Sequence, residues 1–198
     1  MSLPALLLAI SLAQTSVYDA PDAEKKAEGA APAYLPRAVY AGASLNGALL
    51  TPQLRLQWEL NIVQAKRDGL VFYLEGGGGY AIAFPKGFGA TGTDAMTYFY
   101  QHSLLAGFGY RAVYETGLAW GFHLGTGPVF YGARYTTLPR ENRIGGVVEG
   151  GVQMGLKVSG VVYGLAFRYA NLYEVPRRVH SGPFIGGPWL GFYAEWRP

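Results

Sequence analysis

Leu54-Arg55-Leu56-Gln57-Trp58-Glu59-Leu60-Asn61-Ile62 places a large apolar residue at every even position and a polar or charged one at every odd position. Period-two alternation of this length describes an extended strand with two unlike faces. The pattern recurs along the chain and predicts eight strands, at 38–49, 53–64, 70–84, 95–110, 113–135, 144–158, 161–173 and 189–196. Short connections are expected at 50–52, at 65–69 with its Asp-Gly ending, at 111–112 and at the hairpin dipeptide Ser159-Gly160. The connections around 86–94, 136–142 and 174–188 are longer and rich in Gly, Pro, Thr or charge. Short turns at one end and long loops at the other, after the first connection, mark an up-and-down barrel whose long loops face the cell exterior.

The segment ahead of the strands reads differently. Met1–Ala13 has an apolar core at Leu3–Leu12, no preceding Lys or Arg, and a small-x-small ending, the form of an export signal. Residues 14–37 scatter Asp19, Asp22, Glu24, Lys25, Lys26 and Glu28 among Ala and Pro, too little apolar material to pack, so a flexible lead-in is expected. The barrel then occupies 38–198.

Size decides which face points inward. One face carries Trp58, Phe72, Tyr80, Phe84, Phe108, Trp120, Phe122, Phe167, Tyr169, Phe192 and Trp196; the other is dominated by Gly, with scattered charges. An eight-stranded barrel is barely wide enough inside for side chains, so the small residues belong in the lumen and the large apolar ones outside. Tyr98 and Tyr110 bracket Leu104, Ala106 and Phe108 on the outward face of the fourth strand. Twelve residues at about 3.3 Å each, tilted about 40°, span roughly 30 Å, matched to an apolar band of about 25 Å. The fold class expected is therefore all-β, an eight-stranded antiparallel up-and-down transmembrane barrel.

Composition sharpens this. The 198 residues include 29 Gly, where about 14 would be ordinary, and 15 Tyr; half the chain is hydrophobic and only 15% is charged. No apolar run reaches the 18 or so residues of a membrane helix. The absence of Cys excludes disulfides and thiolate metal sites. A net charge of +3 is too small and too scattered for nucleic acid. Nothing in the pattern asks for a cofactor or a metal.

Parity assigns the inward charges to Arg55, Glu59, Glu75, Arg111, Glu115, Glu149, Lys157, Arg168 and Glu195, joined by Arg134 if the Gly127-Pro128 region shifts the register. These five cations and five carboxylates form either a polar conduit, an acid–base site or an ion-paired plug. Equal numbers favour the plug, because a narrow lumen tolerates charge only when it is paired. His123 falls inward between Gly121 and Gly125 and is a possible lumen site; an interior His with satisfied hydrogen bonds is the commoner outcome. His102 falls on the apolar face, at the outer interface or at a bulge, and His180 joins Arg177 and Arg178 on the last loop. Gly76–Gly79 lacks the lysine and helix of a phosphate-binding loop and reads as strand interior.

Together, the strand pattern, leader and loop asymmetry resemble small outer-membrane barrels of the OmpA and OmpX kind over about residues 38–196. The resemblance implies a bacterial outer-membrane location, outer-membrane lipid and lipopolysaccharide as surroundings, and insertion by the barrel-assembly machinery. That machinery reads a terminal aromatic residue; here Leu190, Phe192, Ala194 and Trp196 supply the alternation and Arg197-Pro198 overhang. Arg168-Tyr169 and Gly191-Phe192-Tyr193 are similar to segments of the lipid A 3-O-deacylase barrels, whose seventh strand carries Arg-Tyr-x-His-x-Ser-Asn. At the positions of that His and Ser this chain has Asn171 and Tyr173, which implies an inactive relative. The expectation is a non-enzymatic barrel with a largely closed lumen and a structural or interaction role through outward loops. The alternatives are an enzyme acting on lipid A or phospholipid, and a small pore.

Overall fold

In the computed structural model, which describes residues 34–46, 49–64, 68–81, 96–135, 139–173 and 186–197, eight antiparallel strands close into one barrel in chain order. They are β1 (Ala38–Asn46), β2 (Leu49–Gln64), β3 (Asp68–Ala81), β4 (Met96–Val113), β5 (Leu118–Tyr135), β6 (Glu141–Val158), β7 (Val161–Tyr173) and β8 (Gly186–Trp196). Pairing of β1 with β8, from Ala38 opposite Glu195 to Ser44 opposite Trp189, closes the ring and leaves no free edge. The expected export signal at 1–13, lead-in residues 14–33, the loop at 86–94 and residues 174–185 with Arg177, Arg178 and His180 lie outside the described residues.

The strands run longer than the pattern predicts at several ends, for identifiable reasons. Pro52 lies in β2 opposite Ala43, at the point where β2 pairing with β3 stops at Gln53–Gly79, so its missing N–H costs that ladder nothing. Asp68 and Gly69 belong to β3, opposite Ala112 and Arg111. The turn expected at 111–112 is instead Tyr114–Gly117, where the Tyr114 N–H donates to the Leu118 carbonyl at 2.8 Å and Gly117 takes a φ of 85°. Ser159 and Gly160 form the expected tight hairpin, with φ of 49° and 81°. A single bulge at Ile62 shifts the β2–β3 register, and a second irregularity falls between Met96 and Tyr98.

Even positions of β1 and β7 and odd positions of the other strands are the inward ones. The inward glycines serve as sockets. A Cβ on Gly107 would lie 2.8 Å from the Tyr73 hydroxyl, one on Gly164 2.7 Å from the Tyr193 ring, and one on Gly42 2.6 Å from the Trp189 ring. Each of these three rings crossing the lumen is thus accommodated by a residue with no side chain. Toward the long loops, Phe99, Leu105, Val129, Tyr131, Val147 and Leu172 form a buried apolar cluster. Toward the short turns, Tyr40, Trp189, Tyr193 and Val162 form another.

Gly151 tests this packing. Its Cβ would lie 2.7 Å from His123 Cε1 and 2.8 Å from Arg168 Cγ, whereas one on Gly76 would meet nothing. Gly151→Ala is expected to lower unfolding stability by about 1–3 kcal/mol, and Gly76→Ala to change it by less than about 0.5 kcal/mol. Urea titration of the refolded barrel reads both; equal midpoints contradict the socket account.

Candidate functional site

The densest chemistry lies in the lumen, where the walls present buried charge. Arg55 on β2 and Arg168 on β7 face Glu75 on β3 and Glu149 on β6. Arg55 Nη1 donates to both Glu149 oxygens at 2.7 and 2.8 Å and to Glu75 Oε1 at 3.1 Å. Arg168 Nη1 donates to both Glu75 oxygens at 2.7 and 2.8 Å and to Glu149 Oε1 at 3.0 Å. Each cation therefore touches both carboxylates, and four side chains form one quartet. Gln53 completes Arg55 by accepting from its Nε and Nη2, and in turn donates to Ser44 at 2.8 Å. Arg168 lies over the Tyr40 ring at 4.1 Å, and both guanidiniums lie near Trp189, at 5.2 and 5.3 Å.

Nearer the short turns a second group repeats the arrangement. Arg111 donates to Glu59 at 3.1 Å and lies 3.7 Å from Glu195, and Arg197 donates to Glu195 from the barrel mouth. Gln57 donates to Glu59 at 2.7 Å. Tyr40 donates to Gln153 at 3.0 Å, and Gln153 donates to Glu195 at 3.1 Å. Two cations thus face two carboxylates in each layer.

Three of the ten expected lumen charges lie elsewhere. Glu115 is exposed in the Tyr114–Gly117 turn, because β4 ends at Val113 rather than Tyr110. Lys157 has inward parity but sits at the exposed short-turn rim. Arg134 is exposed on the outward parity of β5; the register through Gly127-Pro128 stays constant, from Ser103 opposite Val129 to Ala106 opposite Thr126. In their place the sequence reading missed Arg197, Tyr40 and the amides of Gln53, Gln57 and Gln153. Parity marked the amides, since Gln53 and Gln57 flank Arg55 at the same spacing; nothing marked an overhanging Arg197.

His123 is buried, packs edge-on against Tyr73 at 5.9 Å, and holds Nε2 3.9 Å from Glu149 Oε1, beyond hydrogen-bond reach. Among the described residues neither ring nitrogen has a hydrogen-bond partner, nor does the Tyr73 hydroxyl. No Ser or Thr hydroxyl is bonded to His123, and Glu149 is engaged by both arginines, so the described lumen holds no activated nucleophile. Among the described residues no group of three His, Asp or Glu is placed to hold a metal. On β7, Arg168 points inward, while Tyr169, Asn171 and Tyr173 are exposed on the outward face. His102 is also outward, in an unbroken stretch of the β3–β4 register.

Closed chain-order pairing, a glycine-socketed lumen and buried ion pairs define an eight-stranded antiparallel up-and-down barrel with a filled interior. No family model matches the sequence, and no curated protein does. Among solved structures, the backbone is similar to the crystal structure of the outer membrane enzyme PagL, with a TM-score of 0.53 and 14% identity, covering 81% of this chain and 99% of that one. At that identity the likeness is one of fold, the closed eight-stranded antiparallel barrel read from the alternation.

The quartet's energetics are directly measurable. Removing one member leaves a buried charge without its partner, at about 3–5 kcal/mol. Glu149→Ala and Arg168→Ala are therefore expected to lower unfolding stability by that order, and Lys157→Ala by less than about 0.5 kcal/mol. Similar losses in all three, read by denaturant titration, contradict the assignment.

Proposed function

We propose that the chain is an integral barrel of the bacterial outer membrane, without catalysis, acting in a structural or interaction role through its outer surface and long loops. In this reading Met1–Ala13 directs export, the short turns face the periplasm, and the barrel-assembly machinery inserts the chain among outer-membrane lipid and lipopolysaccharide. The observation that carries it is the inversion of the two surfaces. Charge is buried in the lumen, while Phe108, Leu124, Val152, Met154 and Phe192 are 56–70% exposed on the wall. A soluble domain would leave that continuous apolar wall in water, far beyond the patch size monomers tolerate.

Aromatic residues border the wall. On β4, Tyr100 and Tyr110 lie ten residues apart on the outward face. At about 3.3 Å per residue and a tilt near 40° they are about 25 Å apart along the barrel axis, the height of the apolar band in outer-membrane barrels. Around Tyr110 gather Phe122 and Trp120, with ring centroids at 5.7 and 5.4 Å, and Trp120 donates to the Tyr114 hydroxyl at 3.2 Å. Rings with an apolar body and a polar tip suit a membrane–water boundary.

The lumen chemistry argues against a catalytic role inside, and the β7 wall argues against the deacylase role outside. Asn171 and Tyr173 occupy the outward positions where that family's segment has His and Ser. The purified protein is expected to release no 3-linked acyl chain from lipid A. Measurable release, abolished by changing Asn171 or Tyr173, contradicts the non-enzymatic reading.

The membrane reading itself is tested by gel migration of the detergent-extracted protein, expected to run faster unboiled than boiled. Leu104→Arg, on the outward face about midway between Tyr100 and Tyr110, is expected to cost about 2–4 kcal/mol. A folded monomer stable in buffer without detergent contradicts the membrane reading.

A further inference from the structure

At the long-loop end, the outward face of β3–β6 breaks the apolar rule of the wall. Strand register sets up successive outward rows. The first, bordering the apolar band, runs Gly78, His102, Phe130 and Ile144. The second runs Tyr80, Tyr100, Gly132 and Asn142. One step further, exposed Arg134 lies near the end of β5 and exposed Arg140 just precedes β6. Alternate residues of a strand are about 6–7 Å apart, so the wall passes from apolar through aromatic to cationic within two steps.

Tyr80, His102, Tyr100, Asn142 and Arg140 form one contacting unit. Asn142 Oδ1 accepts from the Tyr100 hydroxyl at 2.9 Å and from Arg140 Nε at 3.1 Å. The Arg140 guanidinium lies 5.7 Å from the Tyr100 ring centre. His102 packs between Tyr80 and Tyr100, with centroids at 5.5 and 5.7 Å, and its Nε2 lies 3.4 Å from the Tyr80 hydroxyl. The wall is cut away to hold them. A Cβ on Gly78 would collide with the His102 ring, and one on Gly132 would lie 2.6 Å from Asn142 Oδ1 and collide with the Tyr100 ring.

We propose that this patch binds the phosphate groups of an outer-leaflet glycolipid. The inference rests on the outer-membrane reading above and names the ligand that the wall would hold. Two guanidiniums and an imidazole share the patch. Bonding through Nε fixes Arg140 and leaves its Nη groups, the fork that suits phosphate oxygens, without another partner among the described residues. The cations stand outside the barrel and directly above an aromatic row, the height at which a lipid carries its headgroup. Among the described residues, outward positions elsewhere at this end include Leu45, Leu50, Asn171, Tyr173 and Leu190, none cationic.

The test uses the full-length barrel folded in detergent and two probes, a bisphosphorylated lipid A and the same glycolipid after phosphatase treatment, with retention read by native mass spectrometry. The phosphorylated probe is expected to bind at least about tenfold more tightly, a difference of about 1.4 kcal/mol. Arg134→Gln with Arg140→Gln should abolish that preference. Gly132→Ala, which removes no charge, should weaken it by displacing Tyr100 and Asn142, and Lys157→Gln at the opposite rim should preserve it. Equal binding of the two probes by the unmodified protein, or an undiminished preference in the double variant, overturns the site. Heat-modifiable migration is recorded for every variant. A detergent-dependent barrel blind to phosphate refutes the headgroup site alone, whereas a barrel stable without detergent refutes the membrane reading beneath it.

Discussion

Four side chains, Arg55, Glu75, Glu149 and Arg168, set the terms for the rest of this barrel. An eight-stranded ring encloses a space no wider than its own side chains, and a charge placed there cannot reach bulk water. Sharing both carboxylates between both guanidiniums lets β2, β3, β6 and β7 each contribute one charge to a neutral centre. Trp189 and Tyr40 bring β8 and β1 into the same contact through their ring faces. Opposite walls are thereby tied across the lumen as well as around it. The glycine sockets follow from the same constraint, since full-length arginines and aromatic rings fit only where the facing wall gives up its Cβ.

Once the polar groups are gathered inside, the outside is left apolar, and this inversion directs the search for function outward. The lumen offers a packed, neutral interior capped by Phe99, Leu105 and Leu172 toward the long loops and by the Arg111–Glu59–Glu195 group toward the turns. In the role proposed for it, such a barrel would meet its partners at its wall and its loops. The fold shared with PagL fits such a molecule, and at 14% identity it carries none of that enzyme's activity over to this chain. Among the described residues, the cationic, aromatic edge of β3–β6 is where the outward face departs most from its apolar rule.

Much of this was legible in the alternation. Parity correctly separated Arg55, Glu75, Arg111, Glu149 and Arg168 from Phe108, Trp120 and Phe167, because a period of two is a property of the extended backbone and needs no tertiary information. Strand ends were less legible. Tyr114-Glu115-Thr116-Gly117 continues the alternation in form, so the turn was read three residues early and Glu115 was placed in the lumen; only the left-handed backbone of Gly117 marks the break. Pro128 suggested a register shift that does not occur, because it sits where no β4 residue is paired opposite it. Which Glu meets which Arg depends on strand stagger, a long-range quantity that alternation does not carry. His102 looked misplaced for the opposite reason: its setting is made by Gly78 and the tyrosines of neighbouring strands, which one strand's pattern does not reveal.

The central claim is that paired charge fills the lumen instead of lining a path through it. Planar-bilayer recording of the unmodified protein tests it most directly, since a conducting path and a packed ion-paired interior differ in the current they pass. The account predicts a quiet baseline under applied voltage, with leakage appearing when the quartet is opened by Glu149→Ala. Steady open conductance of porin size from the unmodified barrel would contradict it, and the same eight charges would then have to be read as a pathway.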